Sequence, residues 1–227
     1  MAERRLIIAI DGPSGAGKGT VARTLAGALS YTHVDTGSMY RAVAWLAGHL
    51  GVDLQDEAGV AKLAREAALD VGSRVAVDGH DVTVAIRTPE MDRAAAVVAR
   101  HPQVRAALVE RQRAYGRDGG VVMEGRDIGS AVFPNADVKI YLDASPEERA
   151  RRRANDSAHA MSRDGRGVAT VAGELAARDS LDRTRVASPL TKADDAIYVD
   201  TTDIPIDDVV ARVLDIVRTT LDRSRQA

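Results

Sequence analysis

The sequence predicts an α/β fold in which five parallel strands form a doubly wound sheet with helices on both faces. Short runs rich in Val and Ile alternate along the chain with helical patterns. The first apolar run leads directly into a glycine-rich loop, and a helical pattern follows the loop. The chain has 227 residues, which is enough for one α/β core with insertions.

The predicted core strands are short, apolar and bounded by turn or polar residues; they lie at residues 6–11, 32–35, 120–124, 138–142 and 196–200. Two sequences between them indicate helix starts. In Thr88-Pro89 and Ser145-Pro146 a capping hydroxyl precedes a proline, which suits the first helical position. Glu148 is expected to reach back to the Ser145 cap.

Two stretches depart from simple strand–helix alternation. Residues 70–86 predict a hairpin with period two, in which Val75 and Val77 precede a turn at residues 78–80 and Val82 and Val84 follow it. We expect this hairpin inside an inserted subdomain of about residues 39–102. A polar stretch at 154–169 indicates a mobile lid of about residues 151–169. We expect residues 1–227 to form a single domain. Its core then comprises about residues 1–38, 103–150 and 170–227.

Composition excludes several functional classes. The chain has no cysteine, so thiolate catalysis and disulfides are impossible, and its net charge of −2 gives no electrostatic support for a nucleic-acid partner. Asp11 and Gly12 interrupt the first apolar run, and no run approaches the roughly 18 residues of a membrane span. We expect a cytoplasmic monomer without a membrane partner. The five histidines lack metal-ligand spacing.

The glycine-rich loop predicts a site for nucleotide phosphates. Backbone N–H groups of the loop and of the helix that opens near Lys18 converge on one spot, and the helix dipole favours negative charge there. Lys18 adds a positive charge for the outer phosphates. Gly19 stands where the usual pattern has Ser or Thr, so that side chain is not available as a magnesium ligand. The loop residues are Gly12, Pro13, Ser14, Gly15, Ala16, Gly17, Lys18, Gly19 and Thr20.

The segment after the second predicted strand carries residues suited to a second ligand. Asp35 ends the strand, and Tyr40 and Arg41 lie in the following helix, at the ligand edge of the sheet. Thr36 or Ser38 is expected to cap this helix, which leaves Arg41 one turn inward. Taken alone, the segment also fits a capped helix with a surface arginine.

The third predicted strand ends at Glu124, which Arg126 and Asp127 closely follow. An acid at the end of a strand beside a phosphate loop suits Mg²⁺ or its waters. Arg126 offers a fork for a phosphate, and Asp127 offers an acceptor for a base edge. The alternative is a polar turn with an internal Arg–Asp pair.

An arginine-dense helix precedes the predicted lid. Arg149, Arg152 and Arg153 share a helix face by their spacing, and Arg163 and Arg166 lie within the lid itself. Arginines of this kind stabilise the negative charge that spreads over a phosphoryl group in transfer. A run of this kind also occurs as a solvated helix face.

A later helix carries Arg178, Asp182 and Arg185 at spacings of four and three, so they lie on one face. Two guanidiniums around a carboxylate suit a phosphate and a sugar hydroxyl, although a surface ion-pair ladder has the same pattern. Together with the other clusters, this surplus of charge implies a second anionic ligand. No activated Ser or Cys nucleophile is evident, which fits an acceptor that is itself a phosphate.

The chain resembles the bacterial cytidylate kinase family of nucleoside monophosphate kinases almost end to end. Residues 12–20 resemble its loop, in which Gly-Lys-Gly-Thr is common, and residues 35–41 its acceptor-side Asp-Ser/Thr-Gly-x-x-Tyr-Arg motif. Residues 124–133 are similar to its Gly-Arg-Asp-Ile-Gly segment, and residues 178–190 to its acceptor-binding helix. The hairpin and residues 86–88 resemble the insert that distinguishes bacterial cytidylate kinases from adenylate kinases.

The resemblance implies transfer of the γ-phosphoryl group of ATP to CMP or dCMP with Mg²⁺, on a fold of the P-loop NTPase type. It implies that the loop holds the ATP phosphates, with Lys18 following the moving charge. The residues expected at the CMP phosphate are Arg41, Arg126 and Arg185, with Thr36 or Ser38. Tyr40 is also expected to bind the substrate. Those expected at the cytosine are Arg105 and Asp127, and those at the sugar are Arg178 and Asp182. Those on the lid side, over ATP, are Arg149, Arg152 and Arg153.

Two details depart from the family pattern. Ala96 stands where a serine nine residues before Arg105 often helps to read the base, and Ser130-Ala131 replaces Thr-Val. The acid that orders the Mg²⁺ waters stays open among Glu124, Asp127 and Asp35, with Thr20 and waters as further ligands. The competing functions are another small-molecule kinase (thymidylate, shikimate or gluconate), a GTP-binding switch, and a nucleotide sensor. The switch would need an Asn-Lys-x-Asp motif, which is absent from the sequence.

Overall fold

A computed structural model describes residues 5–156 and 167–226. Its strands are β1 (Ile7–Asp11), β2 (Thr32–Asp35), β3 (Leu69–Val71), β4 (Val75–Val77), β5 (His80–Asp81), β6 (Val121–Gly125), β7 (Val138–Asp143) and β8 (Ile197–Asp200). Its α-helices are α1 (Lys18–Leu29), α2 (Thr36–His49), α3 (Glu57–Glu66), α4 (Pro89–Val98), α5 (Pro102–Tyr115), α6 (Pro146–Asn155), α7 (Val168–Thr184) and α8 (Ile206–Gln226). A π-helical turn spans Ile128–Val132.

The main sheet has five strands in the order β2-β6-β1-β7-β8, and every neighbouring pair is parallel. The predicted doubly wound α/β fold is therefore confirmed. The carboxyl ends of β1, β2 and β6 lie side by side, because Asp11 pairs with Gly125 and Asp35 with Glu124. The segments predicted to carry the chemistry thus leave the same edge of the sheet.

Alternate residues of β1 face two separate apolar layers, as expected for a strand covered on both faces. Ile8 and Ile10 pack in a cluster with α1 and α8. Ala9 faces the opposite cluster, which includes α2, α4, α5 and the small sheet. Because both faces are buried, the backbone of β1 has a fixed register, and the loop after it begins at a fixed point.

A second, antiparallel sheet has the order β3-β4-β5. The predicted hairpin is confirmed at β4 and its turn, where Asp78 (φ 47°) and Gly79 (φ 81°) form a two-residue turn. Its second arm was predicted wrongly, because β5 is only His80–Asp81 and Val84 is 63% exposed. After β5, the Thr83 hydroxyl accepts a hydrogen bond from the Val75 N–H (2.9 Å). Strand β3 was not predicted, because its three residues are too few to show a period.

The helix starts at Thr88 and Ser145 are confirmed. Each hydroxyl accepts a hydrogen bond from the backbone N–H three residues later, at 3.3 Å for Thr88 and 3.2 Å for Ser145. The expected return of Glu148 to the cap is wrong. Its carboxylate pairs instead with Arg151 and Arg152 at 2.7 Å each, because charged partners outcompete a backbone N–H.

Only the ends of the predicted lid can be compared with the structure. Helix α6 continues to Asn155, and α7 begins at Val168. Residues 157–166, with Arg163 and Arg166, lie outside the described residues. Within the described ranges, the helices are too short or too polar to cross a bilayer.

Gly12 provides a test of how tightly the loop follows β1. Its φ is +147°, and a Cβ at this position would overlap the carbonyl oxygen of Leu142 in β7. We predict that Gly12→Ala lowers the free energy of unfolding by about 2–4 kcal/mol, measured from urea denaturation midpoints. Gly27→Ala is the control, because a Cβ there meets nothing within 4 Å and Ala raises helix stability by about 0.5–1 kcal/mol. Equal midpoints for the two variants would contradict this account.

Candidate functional site

The loop between β1 and α1 has the backbone conformation that the glycine pattern predicts. Gly15 and Gly17 have φ values of 83° and 88°, in the left-handed region that glycine tolerates best. Gly17 is the residue before α1, so the free N–H groups of the first turn face the loop. The buried Lys18 ammonium donates to the carbonyl oxygen of Pro13 at 2.6 Å. The Lys18 side chain is therefore folded back over the β1–α1 loop.

Arg149 holds the loop from behind. Its guanidinium donates to the carbonyl oxygens of Ser14 (3.0 Å) and Ala144 (3.2 Å) and pairs with Asp179. Asp179 in turn accepts a hydrogen bond from the Ser14 N–H at 3.3 Å. A Cβ at Gly15 would clash with Arg149, so the glycine is needed for this close approach. The loop is thus clamped by α6 and α7 together.

The surroundings of the loop lower the pKa of the Lys18 ammonium group. Burial first, and then the neighbouring charge of Arg126, lower the pKa of Lys18 to about 7. Asp11, at the end of β1, accepts hydrogen bonds from the N–H groups of Ile128 (2.8 Å) and Gly129 (2.7 Å). Burial nevertheless raises the pKa of Asp11 to about 6. Asp11 therefore ties the π-helical turn to the start of the loop.

Asp35, and not Thr36 or Ser38, caps helix α2. Its carboxylate accepts from the Ser38 N–H (3.1 Å) and the Ser38 hydroxyl (2.6 Å). Thr36 lies inside the helix and donates to the carbonyl oxygen of Glu124 at 2.7 Å. Burial raises the pKa of Asp35, but the guanidiniums of Arg41 and Arg87 outweigh it and hold that pKa well below the usual range. The strand-end aspartate was the better capping residue because a carboxylate reaches both donors.

Glu124 stands beside the start of α1. An added Cβ on Gly19 would lie 3.2 Å from its Oε1 atom, so Gly19 leaves room for this carboxylate. The same oxygen is 3.0 Å from Nε2 of His33 on β2. Thr20, the next residue of α1, is exposed. A carboxylate therefore lies beside the first turn of α1, and that turn also carries the exposed Thr20.

A buried Arg–Asp pair closes one end of the cleft. Arg105 on α5 pairs with Asp127, and its guanidinium lies 5.7 Å from the ring centre of Tyr40. Two buried nitrogen atoms of Arg105, Nε and Nη1, have no hydrogen-bond partner in the part of the chain that the structure describes. Arg185 approaches Asp127 from the end of α7 at 3.3 Å. This end of the cleft offers both a carboxylate and unused donors.

Arg126 and α7 form the middle of the cleft. Arg126 donates to Asp182 at 3.0 Å, and Arg185 lies 3.6 Å from the other oxygen of Asp182. Burial raises the pKa of Asp182, but the charges of Arg126, Arg178 and Arg185 together lower it below its ordinary value. Asp182 therefore stays ionised between the arginines.

The three arginines predicted to share one face of α6 have different partners. Arg149 faces the loop, as described above. Arg152 donates to Thr201 Oγ1 at 2.8 Å, and its Nη1 atom would lie 3.8 Å from a Cβ on Gly17. Arg153 turns away and pairs with Asp92 on α4. Adjacent residues of one helix thus point to opposite halves of the site.

Most of the predicted acceptor residues line one cleft at the edge of the sheet. The lining residues are Thr36, Gly37, Tyr40, Ala95, Ala96, Ala99, Arg105, Gly125, Arg126, Asp127, Arg178, Asp182 and Arg185. Ser38 and Arg41 are not among them; Arg41 lies just behind, with its Nη1 atom 3.2 Å from the Ser38 hydroxyl. No group of three or more metal-binding side chains occurs within residues 5–156 and 167–226.

Several acids that organise these arginines were not predicted as site residues. They are Asp11, Asp92 and Asp179. Asp179 adjoins the predicted Arg178, and Asp11 directly precedes the loop, so proximity to a motif was an available signal. Asp92 follows the Thr88-Pro89 helix start, but nothing in the sequence indicates the arginines that it contacts, because they lie on three other helices.

Comparison with solved structures supports the fold. A shikimate kinase from Acinetobacter baumannii, in complex with shikimate, aligns with a TM-score of 0.51 at 17% identity and covers 96% of this chain and 95% of its own. An uncharacterised protein from Eubacterium ventriosum aligns with a TM-score of 0.51 at 11% identity and covers 94% and 99%. At these identities the likeness shows a shared fold alone.

Sequence comparison is more specific. The family model described as cytidylate kinase matches residues 8–219. A cytidylate kinase from Geobacillus kaustophilus (strain HTA426) is 47% identical over 221 residues, covering 95% of this chain and 97% of that protein. A cytidylate kinase from Solibacter usitatus (strain Ellin6076) is 45% identical over 224 residues, covering 98% and 97%. With the phosphate loop and the arginine-lined cleft at one sheet edge, these matches show that the chain is a kinase and belongs to the cytidylate kinase family.

Proposed function

We propose that this protein transfers the γ-phosphoryl group of ATP to CMP or dCMP, giving ADP and CDP or dCDP. The observation that carries the proposal is the position of the cleft: the buried Arg105–Asp127 pair lies at the same sheet edge as the Lys18 loop. Relatives at 47% identity that are named cytidylate kinases support the choice of acceptor. An acceptor panel that includes CMP, UMP, AMP and shikimate, with labelled ATP, tests it.

The β1–α1 loop forms the donor half. Its N–H groups and the α1 dipole would hold the ATP phosphates, and the Lys18 ammonium would follow the charge of the moving group. The proposed ATP-binding residues are Gly12, Pro13, Ser14, Gly15, Ala16, Gly17, Lys18, Gly19 and Thr20. Arg149 contributes by holding Ser14 in place, and Arg152 by its position at Gly17.

The cleft forms the acceptor half, and its closed end suits cytosine. Asp127 can accept a hydrogen bond from the exocyclic amino group, whereas Arg105 has unused donors for the ring nitrogen and carbonyl oxygen. Tyr40 and the small side chains of Ala95 and Ala96 leave a narrow, largely apolar slot for the base. A uracil presents a carbonyl in place of the amino group and would face the Asp127 carboxylate unfavourably.

The remaining arginines suit the sugar and phosphate of the acceptor. We assign the CMP phosphate to Arg126 and Arg185, with Arg41 behind them and Thr36 or Ser38 beside them. Arg178 and Asp182 are assigned to the sugar hydroxyls. Of these side chains, Thr36, Arg126, Arg178, Asp182 and Arg185 line the same cleft as the Arg105–Asp127 pair.

The reaction needs no general base, because the acceptor phosphate already carries negative oxygen atoms. A lone pair on one of them forms the new bond to the γ-phosphorus, and the bond from that phosphorus to the bridging oxygen of ADP breaks in line. The protein then contributes positioning and positive charge. The residues proposed for this role are Lys18, Arg126, Arg152, Arg153 and Arg185.

The residues near the loop fit a magnesium ion held mainly through waters and phosphates. Thr20 and Glu124 offer hard oxygen ligands, while the oxygens of Asp35 are already engaged by Ser38 and by arginines. Gly19 leaves the space in which Glu124 lies. When bound, Mg²⁺ would neutralise charge on the outer phosphates of ATP.

We further propose that residues 39–102 form a subdomain that binds the nucleoside monophosphate, and that residues 151–169 form the lid. The small sheet and α4, which lines the cleft, support the first assignment. The position of α6, which presents Arg152 and Arg153 to the site, supports the second. A cytoplasmic monomer remains our expectation.

Lys18→Ala is predicted to reduce turnover at least about a hundredfold while leaving the Kd for CMP within about twofold, because CMP lies across the cleft. A coupled ADP-release assay and calorimetric titration with CMP measure the two quantities. Lys192→Ala, which removes an exposed lysine, is the control. Loss of CMP affinity as severe as the loss of activity would show that the two halves of the site are assigned wrongly.

ATP affinity is predicted to fall as the pH rises above about 7. Burial, with the charge of Arg126, lowers the Lys18 pKa to about 7, so the free protein loses this proton in that range. Bound phosphates favour the ammonium form, so ATP binding takes up a proton, and affinity drops by up to about tenfold per pH unit. Titrations between about pH 6.5 and pH 8.5 test this. Lys18→Arg stays charged and is expected to give a flatter profile; equal slopes would refute the assignment.

Ala96→Ser is predicted to raise the preference for CMP over UMP by about threefold to tenfold, because a hydroxyl in the cleft adds a contact to the base. The measurement is the ratio of kcat/KM for the two nucleotides. Ala94→Ser, on the same helix and equally buried but outside the cleft lining, is the matched control. An unchanged ratio in Ala96→Ser would reject a role for this position in base selection.

A further inference from the structure

One carboxylate on α4 gathers three arginines from three other helices. Asp92 Oδ1 lies 3.1 Å from Nε of Arg41 on α2 and 2.8 Å from Nη1 of Arg178 on α7. Its Oδ2 atom pairs with Nη2 of Arg153 on α6. These are three of the arginines assigned above to phosphate, sugar and transition-state charge. Asp92 therefore joins the α2–α4 side of the cleft to the α6–α7 side.

The arginines of this group would repel one another without the carboxylate. The side chains of Arg41, Arg153 and Arg178 are only 10%, 18% and 16% exposed, so water screens them weakly. Removing the anion from a buried ion cluster leaves uncompensated charge, which is strongly destabilising for the arrangement. The positions of the three guanidiniums therefore depend on Asp92.

Asp92 does not fill the place of a ligand. It is absent from the cleft lining, whereas Arg178 lies in that lining and its buried Nε atom has no partner among the described residues. A guanidinium has several N–H donors in a fork, and the contacts to Asp92 engage Nε of Arg41 and one Nη atom each of Arg153 and Arg178. Arg178 therefore lies in the cleft lining with one donor, Nε, that neither Asp92 nor another described residue engages.

We propose that Asp92 is a positioning residue that sets the arginines for the phosphate and sugar of the acceptor nucleotide and for the transferred phosphoryl group. It holds Arg41, Arg153 and Arg178 together from outside the cleft lining. This inference rests on the proposed function. In Asp92→Asn, an amide N–H₂ replaces one of the two acceptor oxygens, so at least one guanidinium faces a donor and moves away.

The test compares a ligand that carries the phosphate with one that lacks it. In Asp92→Asn, we expect the KM and Kd for CMP to rise about tenfold or more and kcat to fall. The Kd for cytidine, which lacks the phosphate but keeps the sugar assigned to Arg178, is expected to rise by only about threefold or less. Asp92→Glu keeps the charge and is expected to lie between Asp92→Asn and the wild type. Arg93→Gln is the matched control, since it removes exposed ion pairs with Glu90 on the same helix and with Glu174 on α7 and is expected to leave all constants unchanged.

The outcomes separate the two proposals. If the wild-type protein does not phosphorylate CMP or dCMP, the proposed function is wrong. If it does, tighter or unchanged CMP binding in Asp92→Asn would overturn the inference, because Asp92 would then compete with the phosphate or have no part in binding it. Equal loss of CMP and cytidine binding would also overturn it, since that result indicates a general collapse of the cleft. A far-UV spectrum and melting temperature for each variant check that it folds.

Discussion

The balance between buried guanidinium groups and carboxylates at the carboxyl edge of the main sheet is the constraint on which the rest of the structure depends. A buried arginine without an anion is costly, so each must find a partner even without a ligand. Asp127 partners Arg105 and Arg185, Asp182 partners Arg126, and other acids serve the remaining arginines. Because these partners lie on different helices, the charge balance also determines how the helices are placed around the edge.

The same constraint connects the two halves of the site. Arg149 and Asp179 clamp the Ser14 segment of the phosphate loop to α6 and α7, and Asp92 ties α4 to those same two helices. Helix α6 is central to this arrangement, since Arg152 lies by the loop and Arg153 by the acceptor side. A change in the position of α6 would therefore alter contacts in both halves of the proposed site, which suits the proposed reaction, because that reaction depends on aligning two phosphates.

The unusual glycine of the loop has a physical reason in the tertiary structure. A side chain at Gly19 would approach the carboxylate of Glu124. The chain therefore keeps an acid, and not a hydroxyl, at this point, and His33 orients that acid from β2. Burial near Arg126 also shifts the Lys18 pKa toward neutrality, so the phosphates of the proposed ATP would favour the charged form of Lys18. Both features suit the nucleotide that we propose for this loop.

Residue patterns along the chain were enough to predict the five parallel strands, the phosphate loop, two capped helix starts and most residues of the cleft. Apolar periodicity and the positions of glycine and proline reflect local backbone preferences. Residues that are close together in the sequence determine these preferences. The strand order, the short β3–β4–β5 sheet, the Asp35 cap and the divergence of Arg149, Arg152 and Arg153 came only from the fold. So did Asp92, whose partners are 51, 61 and 86 residues away in the chain. Buried charges pair with groups that are close in space. The spacing of residues along the sequence does not indicate which groups these are.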